Sequence, residues 1–216
     1  MSNHCCPPPP PAADAAYRRV LMIALVLNAG MFLVEIVLGV AAGSSSLLAD
    51  AVDFAGDASN FALSLGALAL APAWRPRVAL LKGYSMGAFG LFVLGVTAWH
   101  ALQRTVPQAL TMGVVGFVAL AVNAGVAVML YRYRAGDADM RSLWLCTRND
   151  AIGNVAVILA AAGVFGIGHG WPDWIVAAVM ASLALSSSLK VVPHARREIL
   201  DAACESVSSP GARTAP

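Results

Sequence analysis

The chain has 216 residues, of which 59% are hydrophobic and only 12% are charged, and its mean hydropathy is +0.72. A soluble domain usually carries about 25% charged residues, so this composition excludes a water-soluble globule and indicates an integral membrane protein. The formal net charge of +2 is too small to indicate a nucleic-acid partner.

The N-terminal segment, residues 1–16, reads MSNHCCPPPPPAADAA. It has no basic stretch followed by an apolar core, so we predict no cleavable signal peptide. Its proline run predicts an extended, disordered arm. The cluster His4, Cys5 and Cys6 could capture a soft metal ion on the cytoplasmic side. The alternative is a disordered tail whose thiols are incidental.

Six apolar stretches follow, each long enough for a membrane-spanning helix, because a bilayer core of about 30 Å needs roughly 20 residues. They run approximately over Val20–Ala42, Ser46–Leu70, Val78–His100, Pro107–Tyr131, Leu143–Gly168 and Trp171–Leu189. Their short connections are rich in turn-forming residues. The predicted fold is all-α, a six-transmembrane-helix bundle over residues 17–189, followed by a short cytoplasmic tail over residues 190–216.

Basic residues lie almost entirely on one side of this predicted bundle. With the N-terminus in the cytoplasm, twelve lysines and arginines fall on the inner side, Arg104 alone falls outside, and Arg148 falls within the fifth span. Because cytoplasmic loops carry an excess of Lys and Arg, we predict that both termini are cytoplasmic.

The second span carries three aspartates in apolar sequence: Asp50, Asp53 and Asp57. Spacings of three and four residues place them on one helical face. An aspartate at mid-bilayer costs roughly 2.5–3.5 kcal/mol on insertion scales, so three on one stripe need a compensating partner. Asp50 has an alternative role as a first-turn carboxylate favoured by the helix dipole. Glu35 in the first span is a weaker candidate, as a partner or a proton relay.

The fifth span carries Cys146 and Asp150 four residues apart, hence on one face, with Asn149 and Asn154 beside them. An alternative role for an acid here is helix–helix hydrogen bonding or an ion pair with Arg148.

Facing each other, spans two and five would offer four ligands: Asp53, Asp57, Cys146 and Asp150. Zinc and related ions accept four such ligands. The cluster cannot stay ionised in a low-dielectric site without a cation, so metal and protons would compete for it.

The stretch from Asn28 to Asp57, NAGMFLVEIVLGVAAGSSSLLADAVDFAGD, resembles the first two spans of the cation diffusion facilitators. In that family an Asn and a Glu precede a small-residue turn, then LLADA, then an H/D-x-x-x-D metal pair. The fifth span of the family usually reads H-x-x-x-D. Here Cys146 stands at the histidine position, and DAIGNVAV begins at Asp150. The resemblance covers about residues 17–201.

The resemblance implies a proton-coupled antiporter that exports zinc, cobalt, cadmium or similar ions. It would lie in a lipid bilayer, the bacterial inner membrane, as a homodimer. The metal ligands would be Asp53, Asp57 and Asp150, with Cys146 in the histidine position and Asp50 as a frequent companion. The metal is cargo; we expect no cofactor and no enzymatic activity.

Two departures from the family pattern change these expectations. Cys146 is a softer ligand than histidine and favours thiophilic ions. After Leu189 only 27 residues remain, too few for the family's cytoplasmic ferredoxin-like domain, so we expect a short form without it. Two alternatives stay open: a metal-binding or sensing membrane subunit that does not transport, and a carrier of manganese, iron or magnesium.

Overall fold

The computed structural model describes residues 15–67, 75–135 and 138–208. These residues form helices joined by turns, with no strand among them, which confirms the all-α class. The helices are α1 (Ala15–Ala42), α2 (Ser45–Ala67), α3 (Arg75–Gln103), α4 (Ala109–Tyr131), α5 (Ala138–Ile167) and α6 (Trp171–Ser208).

Five of these helices, α1 and α3 to α6, are long and apolar enough to cross a membrane. Their outward side chains are large and apolar, as lipid contact requires; examples are Val37 on α1, Phe117 on α4 and Phe165 on α5. Every stretch of α2 that is long enough to cross a membrane contains all three aspartates. Composition alone therefore separates α2 from the other helices.

Helix α2 is the centre of the bundle, since it contacts each of the other five helices. It joins α1 through a tight turn at Gly43, whose φ of 64° is a left-handed conformation that glycine adopts without strain. The helix that carries the three aspartates is therefore surrounded by other helices. This position explains how α2 holds several polar side chains in the interior of the bundle.

Two apolar clusters pack at opposite ends of the bundle. One is built around Leu47 of α2, Met112 of α4 and Val157 of α5. The other contains Phe61 of α2, Leu130 of α4 and Leu143 of α5. Along each of these three helices, polar residues separate the two clusters. The clusters thus bound a polar layer in the middle of the bundle.

Helices α3 and α6 approach closely along a glycine seam, formed by Gly83, Gly87 and Gly90 of α3. A Cβ added to Gly87 would lie 2.6 Å from Ser188 Oγ, and one added to Gly83 would lie 2.8 Å from a methyl group of Val192. The Ser188 hydroxyl donates to the Gly83 carbonyl across 2.7 Å. Small residues at such a seam let two backbones approach within van der Waals contact.

The N-terminus of α2 is capped by a residue of another helix. Asp173, in the first turn of α6, is fully buried. It accepts from the backbone N–H groups of Ser45 (2.8 Å) and Ser46 (2.9 Å) and from the Ser44 hydroxyl (2.8 Å). Ser44 Oγ in turn accepts from the Leu47 N–H at 3.2 Å. The first N–H groups of α2 are thereby satisfied.

The helix bounds differ most from the prediction in α6. It continues as a helix through Pro193 to Ser208, whereas the apolar stretch ends at Leu189. Hydropathy identifies only the apolar part of a helix. It does not show how far the helical hydrogen bonding continues beyond that part. The predicted arm lies outside the described residues except for Ala15 and Ala16, with which α1 begins. His4, Cys5 and Cys6 are outside them too.

Candidate metal site

Three predicted site residues lie on α2 in the polar layer. Asp50 and Asp57 are 1% and 5% exposed, and Asp53 is half-buried. The carboxyl group of Asp53 lies close enough to those of Asp50 and Asp57 to interact electrostatically with both. A stripe of acids on the central helix therefore concentrates negative charge inside the bundle.

Helix α5 meets this stripe directly. The carboxyl group of Asp150 lies within hydrogen-bonding reach of the Asp57 carboxyl group. It also interacts electrostatically with Asp53. One turn earlier on α5, the hydroxyl of Thr147 lies 3.4 Å from Asp57 Oδ2 and 3.1 Å from the Leu143 carbonyl. The structure thus brings Asp57 and Asp150 together across the α2–α5 contact.

The other two predicted ligands, Asp53 and Cys146, do not complete a four-ligand metal site in this conformation. Cys146 lies one turn before Asp150 on α5 and is half-buried. Among the described side chains, no three of His, Cys, Asp and Glu converge tightly enough to hold one metal ion. The pair Asp57 and Asp150 is therefore the part of the set that the structure brings together, and the four-ligand set stays a prediction.

A second polar group crosses the bundle beside this pair, and it involves the predicted auxiliary residues. Asn154 Nδ2 of α5 donates to Asp50 Oδ2 across 2.5 Å. Asn123 Nδ2 of α4 donates to Asn154 Oδ1 across 2.9 Å. Asp50 also lies within hydrogen-bonding reach of Glu35 on α1. This polar network, Glu35–Asp50–Asn154–Asn123, joins four helices.

Of the alternative roles raised by the sequence, helix–helix hydrogen bonding does occur, between Asn154 and Asp50, whereas the described contacts do not support an ion pair with Arg148 or a first-turn role for Asp50. Arg148 is exposed; its guanidinium donates to Asn149 at 3.2 Å and lies over the Trp144 ring at 5.3 Å, so it neutralises none of the buried acids. Asp50 does not act on the N-terminus of its own helix, because it is bonded to Asn154 in the interior while Asp173 caps that terminus.

Sequence reasoning missed three polar residues that act in this region: Asn123, Thr147 and Asp173. The signal for Asn123 was an amide in the otherwise apolar fourth span. Thr147 lies three residues before Asp150, hence on the same helical face. Asp173 gave no such signal, because its role depends on the packing of α6 against α2.

Comparisons with known proteins agree with this architecture. A family model described as the cation efflux transmembrane domain matches residues 21–200. The chain is 24% identical over 214 residues to a cadmium, cobalt and zinc/H(+)-K(+) antiporter of Bacillus subtilis, which covers 90% of this chain and 67% of that protein. It is 26% identical over 198 residues to the zinc transporter ZitB of Escherichia coli, covering 86% and 63%. The chain thus spans about two thirds of the length of these relatives.

Proposed function

The chain belongs to the cation efflux family, and from that premise we propose that it exports divalent transition-metal ions of the zinc, cobalt and cadmium class in exchange for protons. The relatives it resembles are named for zinc, cadmium and cobalt. We take the same ions as the cargo of this chain.

The observation that carries the proposal is the approach of Asp57 and Asp150 inside the bundle. Two adjacent carboxylates in a low-dielectric site cannot both stay ionised unless a cation lies between them. A divalent ion satisfies both, and so do protons. The same two groups can therefore take up metal from one side of the membrane and exchange it for protons on the other.

The proposed ligand set adds Asp53 and Cys146 to this pair. Both lie one helical turn from a member of the pair, so a small rotation of α2 against α5 would bring them to the same ion. The Thr147 hydroxyl of α5 lies 3.4 Å from Asp57 Oδ2, beside the proposed site. Three carboxylates and a thiolate favour borderline and soft ions over magnesium.

The proposed membrane arrangement follows the charges. All six helices span the bilayer, with α2 shielded by the others, and both termini face the cytoplasm. The exposed basic residues Arg18, Arg132 and Arg196 then lie on the inner side, and Arg104 on the outer side. We place the chain in the bacterial inner membrane as a homodimer, as the family resemblance implies.

Vesicles that contain the purified chain and a trapped zinc indicator would test the proposal. We expect zinc entry that accelerates when the vesicle interior is made acidic, because luminal protons displace the ion. Asp57→Asn and Asp150→Asn should each slow the flux about 10-fold or more, since each removes a carboxylate that binds the ion. Glu198→Gln is the matched control, because Glu198 is an exposed acid of α6 outside the site. Zinc entry in the wild type that is indifferent to the gradient would refute proton exchange, and equal flux in all variants would refute the site.

A further inference from the structure

Glu35 is a buried acid that the proposed metal site does not use. Its side chain is 0% exposed, and neither carboxyl oxygen accepts a hydrogen bond from any donor in the described part of the chain. Buried polar atoms without a donor are uncommon, because their lost hydration is not replaced by a hydrogen bond. The group that faces Glu35 is the Asp50 carboxyl, within hydrogen-bonding reach.

On its other side Asp50 accepts from the NH2 group of Asn154, whose carbonyl oxygen accepts from the NH2 group of Asn123. In this arrangement the donor that reaches Asp50 comes from α5, on the side away from Glu35. On one side, therefore, Asp50 accepts from an amide donor. On the other side its carboxyl group faces the carboxyl group of Glu35.

What joins two facing carboxyl groups without a donor is a proton. A single proton turns one into a hydroxyl donor and leaves the other as its acceptor, in a short charge-assisted bond. A metal ion fits poorly here, because the Asn154 NH2 group would repel it and its amide oxygen is turned away towards Asn123. The donor set is that of a proton site.

We propose that Glu35 and Asp50 form a proton-binding site of their own, which holds one shared proton in the metal-free protein and releases it when metal binds at Asp57 and Asp150. This inference rests on the proposed exchange and says where one of the exchanged protons is carried. The hydrogen-bond donor that reaches Asp50 is the Asn154 amide of α5.

Coupling between the two sites is electrostatic. The charged groups that face the pair are Asp53 of α2 and Asp150 of α5. The residue that α4 contributes to the network is Asn123, which carries no charge. Asp173 of α6 is held at the N-terminus of α2, where His100 of α3 bonds Ser45. A divalent ion at the α2–α5 contact cancels negative charge next to the pair, so the pair binds its proton less tightly.

Calorimetry on the full chain in detergent would test the proposal. Zinc is titrated at one pH in buffers of different ionisation enthalpy, which gives the number of protons released per zinc bound. Glu35→Gln supplies a permanent NH2 donor to Asp50 and so imitates the protonated pair. We expect it to release about one proton fewer and to bind zinc about 10-fold more weakly than wild type, because a pair that cannot give up its proton loses the affinity linked to that release.

Two further variants keep the test decisive if Glu35→Gln folds poorly. Asp50→Asn should lower the proton count by the same amount, and the double variant should lower it no further, because the pair holds a single proton. The exposed Glu198→Gln should leave the count unchanged.

Three results would overturn the proton site: an unchanged count in Glu35→Gln and Asp50→Asn, an additive loss in the double variant, or loss of zinc binding, which would make the pair a ligand. Wild-type chain that binds no zinc, or releases no proton on binding it, would instead refute the proposed exchange together with this inference.

Discussion

The Asp173 cap on α2 makes the sharpest prediction for stability. Asp173→Ala removes the acceptor of three hydrogen bonds and leaves two N–H groups of a buried helix terminus without a partner. A hydrogen bond to a charged group contributes about 1.5–3 kcal/mol, and an anion at a helix N-terminus contributes about 0.3–1 kcal/mol more. Water can replace part of this at the end of the bundle.

We therefore expect Asp173→Ala to lower the free energy of unfolding by about 3 kcal/mol. For a chain of this size such a loss lowers Tm by about 6–12 °C. Asp173→Asn keeps one acceptor oxygen and should fall between wild type and alanine.

Thermal unfolding in lipid nanodiscs, followed by tryptophan fluorescence, measures this effect. Glu198→Ala is the control, since it removes an acid of the same helix that is 52% exposed and pairs with His194; such surface pairs contribute about 0–1 kcal/mol. If Asp173→Ala melts within about 2 °C of that control, the cap does not hold α2 to α6 and the reasoning is wrong.

Three other predictions concern the interior. Gly87→Val should destabilise the chain by about 1–3 kcal/mol because it forces α3 away from α6; Gly95→Ala, where a Cβ meets nothing within 4 Å, should be neutral or stabilising in the same melts. Asn154→Leu should cost about 2 kcal/mol, because Asp50 loses its amide donor, and denaturation that matches wild type would contradict the network. Cys146→Ser should reduce cadmium tolerance of a sensitive host more than zinc tolerance, since a thiolate prefers the softer ion; equal losses would remove Cys146 from the ligand set.

Five of the helices could be predicted from the sequence because their apolar runs are long enough to cross a bilayer, and α2 could be predicted because turn-forming residues bound a run of helical length. The spacing of the α2 aspartates and of the α5 pair also predicted which side chains share a face, and Asp57 and Asp150 do meet. Spacing within one helix says nothing of which helices are neighbours. For that reason the hydrogen bond of Asn154 on α5 to Asp50, the bond of Asn123 on α4 to Asn154, and the cap that Asp173 on α6 provides for α2 appeared only in the structure.

The central position of α2 has a consequence for biogenesis. Three aspartates at roughly 2.5–3.5 kcal/mol each make α2 a poor candidate to enter the lipid phase alone during synthesis. The tight turn at Gly43 ties it to α1, which is strongly apolar, so the two can leave the translocon as a hairpin. The hydrogen bonds of α2 to Asn154 and Asp173 can form only after α5 and α6, the last helices in chain order, have been synthesised.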